Sequence, residues 1–364
     1  MSATTRLLKL APLAIATTIA AGCDHVDDGT VDLSDLNIDF RGGDYKTTPQ
    51  KLNTGYLGEE DLPLNNMPMI EGGDDEVEIL DIRARKCRDS TGAIISGKFS
   101  RKATNLDIDV PLNFAGKLVS LDLAAVNDPS IICSISGALW ENTFWDIKVS
   151  YLDAGGEVDE IVETELWLRD TDLDEHGMPV YQFKVNYPMV NPDYAGEIKW
   201  HNTCDEDLDP EDPEHAFHAY LLPDREVQSN GTYVDTPGTM YMACLSAAVG
   251  KAQNFGYSYL AGTDVAELGS RMVRADYCGD GEPHTVDGTP IYLQDALGVY
   301  GVTFPADEHA IEAVWAKNVS GAICLDNPRV IAQGPIMCGE GEAAAPLPPC
   351  GTMSGDITTL VPVE

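Results

Sequence analysis

Large apolar side chains recur at every second position in a series of short segments between residues 76 and 200. The alternation is clearest at 145–151 and at 181–187. Successive side chains of a strand point to opposite faces, so this pattern predicts strands with one buried face. The predicted strands fall within 76–87, 118–126, 145–152, 163–170 and 180–187. Together they predict a β-rich, antiparallel domain over 76–200, built as a sandwich or a barrel.

A different spacing appears beyond residue 200. Apolar residues at intervals of three and four predict helices over 240–255 and 264–274, whereas 290–297 and 309–316 have the pattern of strands. This mixture predicts a second domain over 201–330, stabilised by disulfides and containing both helices and strands. The expected fold class is therefore α+β, with the β-rich, sandwich-like domain first.

The first 22 residues have the order of a secretory signal peptide. Two cations, Arg6 and Lys9, precede an apolar run over 10–21 that is too short to span a bilayer. Ala20, Ala21 and Gly22 directly precede Cys23, which is the spacing of a bacterial lipoprotein cleavage box. We expect removal of 1–22, lipidation of Cys23, and attachment to the cell envelope outside the cytoplasm, with the membrane as a partner through the lipid.

Polar segments flank the two predicted domains. Residues 23–75 are acidic, rich in Gly, Asn and Pro, and without a sustained helical or strand period. Such a composition is typical of a flexible tether. Residues 331–364 predict a C-terminal tail that contains a loop closed by a disulfide.

Acidic residues far outnumber basic ones. The chain has 60 Asp and Glu against 23 Lys and Arg, a formal net charge of −37. This charge excludes nucleic acid as a partner, because the phosphate backbone would be repelled. Three interpretations of the acidity stay open: a solvated surface, Ca²⁺ binding by carboxylate-rich loops, and a docking surface for a basic partner.

Nine cysteines become eight once Cys23 carries lipid. An even number in an exported protein predicts a disulfide framework. The eight are Cys87, Cys133, Cys204, Cys244, Cys278, Cys324, Cys338 and Cys350. Spacing alone leaves many connectivities open, and we expect bridges between sequential neighbours.

The segment 274–291 opens with Arg-Ala-Asp-Tyr-Cys and resembles the signature of the ADYC domain family. The stretches HAYLLPDREV, MYMACLSAAVGKAQNFGY and IEAVWAKNVSGAICL stand in the order that this family uses, so the resemblance covers about 200–329. The family is associated with exported, lipid-anchored and mainly myxobacterial proteins. The resemblance implies the same location for this chain, and it implies no particular reaction.

Candidate catalytic groups cluster within this motif. Cys278, near His284 and Asp276, is a candidate thiol nucleophile, with the histidine and the carboxylate as candidate bases. A disulfide at Cys278 is the competing interpretation and the favoured one, because exported cysteines in an even set are usually bridged.

Acidic loops supply candidate metal ligands. Asp280, Glu282 and Asp287 follow the motif, and Asp205 and Asp207 lie in an acidic loop at the expected domain boundary. Their spacing differs from the twelve-residue EF-hand loop. We therefore expect no bound cofactor, with Ca²⁺ as the alternative.

Five tryptophans are candidates for a sugar-binding face: Trp140, Trp145, Trp167, Trp200 and Trp315. Core packing is favoured for Trp145, Trp167 and Trp315, because they lie within alternating or apolar runs.

The combined features favour a binding or scaffolding module at the envelope, with a protein or glycan partner, over an enzyme. The alternatives are a thiol-dependent or other hydrolase that uses the Cys278/His284 region, and a Ca²⁺-dependent adhesion module.

Overall fold

The computed structural model describes residues 50–53, 68–70, 77–105, 112–152, 158–174, 176–186, 200–204, 217–228, 231–286, 289–299, 303–330, 335–339 and 341–363. Within these residues the chain is β-rich, with two α-helices and four disulfides. The strands are β1 (Gln50–Asn53), β2 (Pro68–Ile70), β3 (Val77–Arg88), β4 (Ile94–Ser100), β5 (Leu121–Ala125), β6 (Asp128–Ile135), β7 (Thr143–Leu152), β8 (Val158–Leu173), β9 (Pro179–Asn186), β10 (Trp200–Asn202), β11 (Ala219–Val227), β12 (Tyr233–Cys244), β13 (Thr289–Asp295), β14 (His309–Trp315), β15 (Ala322–Leu325), β16 (Met337–Cys338), β17 (Ala345–Pro346) and β18 (Ile357–Pro362). The helices are α1 (Ala248–Asn254) and α2 (Thr263–Arg274).

Eleven strands form one large sheet. Its order is β2, β12, β11, β9, β8, β7, β3, β4, β5, β6, with β10 beside β9. Because β2 also pairs with β3, seven of these strands close into a barrel-like ring. The sheet continues through β11 and β12, so it does not break at the domain boundary predicted near residue 201.

Alternation along the central strands sets the inner face of this sheet. Trp145 and Ile147 of β7, Leu166 and Leu168 of β8, and Phe183 and Val185 of β9 are all buried. Their neighbours in sequence are half-buried or exposed, as expected for a sheet with one apolar face. Each of the five segments predicted as strands overlaps a strand of this sheet.

A smaller sheet has the order β1, β13, β18, β14, β15. The two helices contact both sheets. One buried cluster joins apolar residues of α1 and α2 to the small sheet, and a second cluster joins them to β11 and β12 of the large sheet. The clusters include Leu268 and Met272 against Ile291 and Trp315, and Val249 and Ala266 against Tyr220 and Tyr241.

The helix predicted over 264–274 is confirmed as α2, with Val265, Leu268 and Met272 buried. The helix predicted over 240–255 is wrong for its first part, because 240–244 is the end of β12 and α1 begins only at Ala248. Residues 240–244 are buried without alternation, which removes the period that distinguishes a strand from a helix.

Four disulfides link these elements: Cys87–Cys133, Cys204–Cys244, Cys278–Cys338 and Cys324–Cys350. Their Cα–Cα distances are 5.7, 5.4, 5.1 and 4.9 Å, respectively. Pairing of sequential neighbours is right for the first two and wrong for the last two, which interleave.

The interleaving follows from how the tail docks on β15. The Leu325 amide donates to the Pro348 carbonyl, and the Cys350 amide donates to Asp326 Oδ1 at 2.8 Å, which holds Cys350 beside Cys324.

Neither α1 nor α2, the helices of the described segments, is long and apolar enough to cross a bilayer. Cys23 and the predicted signal and tether up to residue 49 lie outside the described residues.

Candidate functional site

Asp276 shapes a tight turn directly after α2. Its carboxylate accepts hydrogen bonds from the backbone amides of Gly279 (2.8 Å), Asp280 (3.2 Å) and Gly281 (3.1 Å). Burial raises the pKa of Asp276, while the amides of Gly281 and Gly279 act in the opposite direction. The carboxylate is therefore engaged in the turn itself.

Tyr277 is the buried centre of the same motif. Its hydroxyl donates to Glu312 Oε1 at 2.8 Å and accepts from the Arg329 amide at 2.9 Å. Its ring stacks with Trp315 and His284, at centroid distances of 5.7 and 5.6 Å. Burial, followed by the Glu312 charge, raises the pKa of Tyr277 well above its ordinary value. The side chain thus joins α2 to the small sheet.

Cys278 is bonded through its sulfur to Cys338. Asp276 and Cys278 lie in this turn, and His284 stacks on Tyr277 and lines the same cavity as Cys278, but the Cys278 sulfur has no thiol proton to give. The next residue, Gly279, has φ +71°, and a Cβ there would overlap the carbonyl oxygen of Ser320. These contacts give the motif a structural role in this oxidised form.

The acidic candidates next to the turn line a shallow cavity of about 340 Å³. Asp280 and Glu282 both border it, and Asp280 Oδ1 accepts the Glu282 amide at 3.0 Å. Among the described residues, no group of three or more His, Cys, Asp or Glu side chains is placed to hold a metal ion. Asp287, Asp205 and Asp207 lie outside those residues.

A second site lies on the outer face of the large sheet. The strand register places Arg83 opposite Phe144, Phe144 opposite Trp167, and Trp167 opposite Lys184. This row faces outward, because the residues that alternate with it along the strands are buried in the core. Phe144 and Trp167 stack at 6.1 Å, and Trp200 meets Trp167 edge to face at 5.6 Å.

These three aromatic rings line a cavity of about 780 Å³, which we call the aromatic groove. Arg85, Lys98, Asn142, Glu165 and Asn186 are among its other lining residues. Its volume is in the range of small-molecule binding sites.

The aromatic groove is rich in cations. The guanidinium carbon of Arg85 lies 5.5 Å from the centre of the Phe144 ring, and that of Arg169 lies 5.5 Å from the centre of the Trp167 ring. Such contacts fix a guanidinium group over an aromatic face.

Arg83 lines the groove and pairs with two carboxylates, those of Asp146 at 2.5 Å and of Glu165, of which Glu165 also lines the groove. Burial raises the pKa of Asp146, and Arg83 opposes the shift. The Arg83 charge offsets one of these two negative charges. The remaining one is outnumbered by Arg85, Lys98 and Arg169, which form no ion pair within the described residues.

Three polar side-chain atoms of residues that line the groove are buried without a hydrogen-bond partner: Arg83 Nε, Trp167 Nε1 and Asn186 Oδ1. Asn186 is only 8% exposed. Buried polar atoms are normally paired within the protein or with a bound molecule. Their hydrogen-bonding capacity is not used within the described residues.

The groove itself was not predicted, although its tryptophans Trp167 and Trp200 were among the candidates for a sugar-binding face. Trp145 and Trp315 are in the core as predicted, but Trp167 is half-buried and lines the groove. The alternation in β8 indicated this position: Leu166 and Leu168 point to one face of the sheet, so Trp167 between them points to the other.

A family model described as the ADYC domain matches residues 143–331, just over half of the chain. The chain belongs to the ADYC domain family. The match begins at β7, so the extent predicted from the resemblance, 200–329, was too short. The ADYC region thus includes Phe144, Trp167, Asn186 and Trp200 of the groove as well as the turn at Asp276. Comparisons with curated proteins and with solved structures found no match.

Proposed function

We propose that this ADYC protein is an exported binding module, anchored to the bacterial cell envelope through a lipid on Cys23. The order of charged, apolar and small residues before Cys23 supports export and lipidation. Four disulfides support an oxidising, extracellular environment. In this proposal the chain is an α+β protein, with its helices beside the smaller sheet and its β-rich part ahead of them.

The aromatic groove is the main support for a binding function. It combines three half-buried rings, cations that form no ion pair within the described residues, and three buried polar atoms that lack hydrogen-bond partners. By contrast, the reactive groups of the motif at 276–278 are engaged in a disulfide and in backbone hydrogen bonds. A protein or glycan partner at the envelope would bind at the groove. The disulfide-stabilised fold would hold the groove in place for that partner.

The anchor is tested by cell fractionation. The full-length chain and its Cys23→Ser variant are expressed in a bacterium that processes lipoproteins, and each is labelled with a fatty-acid analogue. We expect label and membrane association for the parent chain and neither for Cys23→Ser. Equal labelling of both chains would contradict the anchor.

The groove is tested by thermal unfolding with a panel of neutral and acidic oligosaccharides and of acidic and basic peptides. A ligand that binds the folded state raises the Tm. We expect at least one panel member to raise the Tm of the parent chain, and Arg85→Glu to abolish that rise.

Lys86→Glu is the matched control, because Lys86 is an exposed cation of the same strand that does not line the groove. It should keep the parent's response. A panel without any stabilising member, or an unchanged response in Arg85→Glu, would contradict the proposed function.

A further inference from the structure

We propose that the aromatic groove binds an acidic oligosaccharide, a short chain of sugar rings that carry carboxylates. This inference rests on the proposed function and names the chemical class of its ligand.

The cations select for negative charge. Arg85 and Lys98 line the groove, and Arg169 and Lys184 lie beside it on the same face. None of these four forms an ion pair within the described residues, whereas Arg83 is already engaged by two carboxylates. On a chain of net charge −37, four unpaired cations on one surface are complementary to an anion. A guanidinium group can hold a carboxylate through two hydrogen bonds.

The unpartnered atoms select for hydroxyl groups. Trp167 Nε1 is a donor without an acceptor, and Asn186 Oδ1 is an acceptor without a donor. A hydroxyl group can serve either atom, because it both donates and accepts. A sugar ring carries several hydroxyl groups at close spacing, so one ligand can offer partners to both atoms if a small side-chain shift on binding opens these buried atoms to the groove.

The rings select for an apolar surface between the polar groups. Phe144, Trp167 and Trp200 present a mixed arrangement of faces and edges, with centroids 5.6 to 6.1 Å apart. Ligand sites of this size combine such apolar walls with a few placed polar groups. The C–H groups of a sugar ring match the walls while its hydroxyl and carboxylate groups reach the polar atoms.

An acidic peptide matches the groove less well. An extended peptide commonly binds by adding a strand to an open sheet edge. The groove lies over β7 and β8, and both strands are hydrogen-bonded to neighbours on either side. The surface offers side chains and no free backbone edge.

The test measures binding of the processed, detergent-purified chain to a galacturonate oligosaccharide by calorimetry. The same oligosaccharide with its carboxylates reduced to alcohols serves as the neutral comparison, and polyglutamate serves as the acidic peptide. The parent chain is compared with Arg85→Glu/Lys98→Glu, with Trp167→Phe, and with Lys86→Glu. All substituted cations are exposed, which favours folding of these variants, and Trp167→Phe keeps an aromatic ring while removing Nε1.

We expect the acidic oligosaccharide to bind, with an affinity that falls as salt is added. Arg85→Glu/Lys98→Glu should weaken it at least about tenfold, and Lys86→Glu should leave it unchanged. Trp167→Phe should weaken it several-fold without changing the salt dependence.

Two results would overturn the ligand class and leave the proposed function standing: equal binding of the reduced oligosaccharide, or equal binding of polyglutamate. If no probe is bound, or if Arg85→Glu/Lys98→Glu binds every probe as the parent does, the groove is not the site and both proposals fail.

Discussion

The Tyr277 hydroxyl donates to Glu312 at 2.8 Å inside a buried ion pair, since Arg329 Nη2 lies 3.0 Å from the same Glu312 carboxylate. The charged side chains are 1% and 0% exposed. Arg329 also donates to the carbonyls of Met272 and Val273 at the end of α2. The motif tyrosine thus completes a network that fixes the helix against the small sheet.

Removing one member of this network should destabilise the fold. Glu312→Gln leaves the Arg329 charge buried and unpaired, so we expect the free energy of unfolding to fall by about 3 to 5 kcal/mol. Tyr277→Phe should cost about 1 to 3 kcal/mol, because Glu312 and the Arg329 amide each lose a hydrogen bond. Denaturant unfolding with intact disulfides measures both.

The control for these variants is Glu78→Gln, which breaks the partly exposed pair between Glu78 and Lys148. This change should cost less than about 1 kcal/mol. A similar loss for Glu78→Gln and Glu312→Gln would contradict the role of the buried network.

Gly279 should tolerate no side chain. It has φ +71°, and a Cβ would overlap the Ser320 carbonyl oxygen, so the backbone of one segment would have to move. We expect Gly279→Ala to cost more than about 2 kcal/mol. Gly298→Ala is the matched control: its φ of +84° is as unfavourable, but no atom lies within 4 Å of the added Cβ. Equal losses in thermal unfolding would show that the close approach to Ser320 is unimportant.

Proteolysis without reduction should release peptides that join Cys278 to Cys338 and Cys324 to Cys350. Mass spectrometry identifies these pairs directly. Peptides that join Cys278 to Cys324 would contradict the interleaved arrangement. Loss of the Cys278–Cys338 bridge in Cys278→Ser/Cys338→Ser should lower the free energy of unfolding by about 2 to 5 kcal/mol.

Tyr181 should make stability depend on alkaline pH. Its buried hydroxyl accepts from the Leu118 amide at 2.9 Å and donates to the Gly116 carbonyl at 3.1 Å, and burial raises its pKa to about 12. A raised pKa contributes stability that is complete below the ordinary value of 10.0 and is lost as the pH rises toward the folded value.

Tyr181→Phe should therefore be less stable than the parent at neutral pH, by about 1 to 3 kcal/mol. The difference should shrink between about pH 10 and about pH 12, where the unfolded chain has lost the Tyr181 proton and the folded chain still holds it. Denaturant unfolding at intervals over this range measures it. A constant difference would show that Tyr181 does not titrate in the folded state as proposed.

The strands of the large sheet were predictable because one face is buried and the other is not, as Trp145 and Ile147 show. The end of β12 was not, since Met240 and Tyr241 are both buried, between the sheet core and the helices, and alternation is lost. The sequence pattern therefore identifies an element only where its two faces meet different surroundings.

The two candidate sites also differ in how far the sequence could predict them. The turn at Asp276 could be located because its residues are contiguous, but their engagement with Glu312, Arg329 and Cys338 arises from residues far along the chain. The groove depends on the register that sets Phe144 opposite Trp167. Register follows from strand pairing, which the spacing within one strand does not specify.

Hydroxyl-radical footprinting, with and without a saturating galacturonate oligosaccharide, tests most directly that binding occurs at the groove. The rings of Trp167, Trp200 and Phe144 line the groove, while Met337 is 49% exposed beside the turn at Asp276. The expected result is that the ligand lowers oxidation of Trp167 and Trp200 and leaves Met337 unchanged. Protection of Met337, with Trp167 and Trp200 oxidised as before, would contradict it.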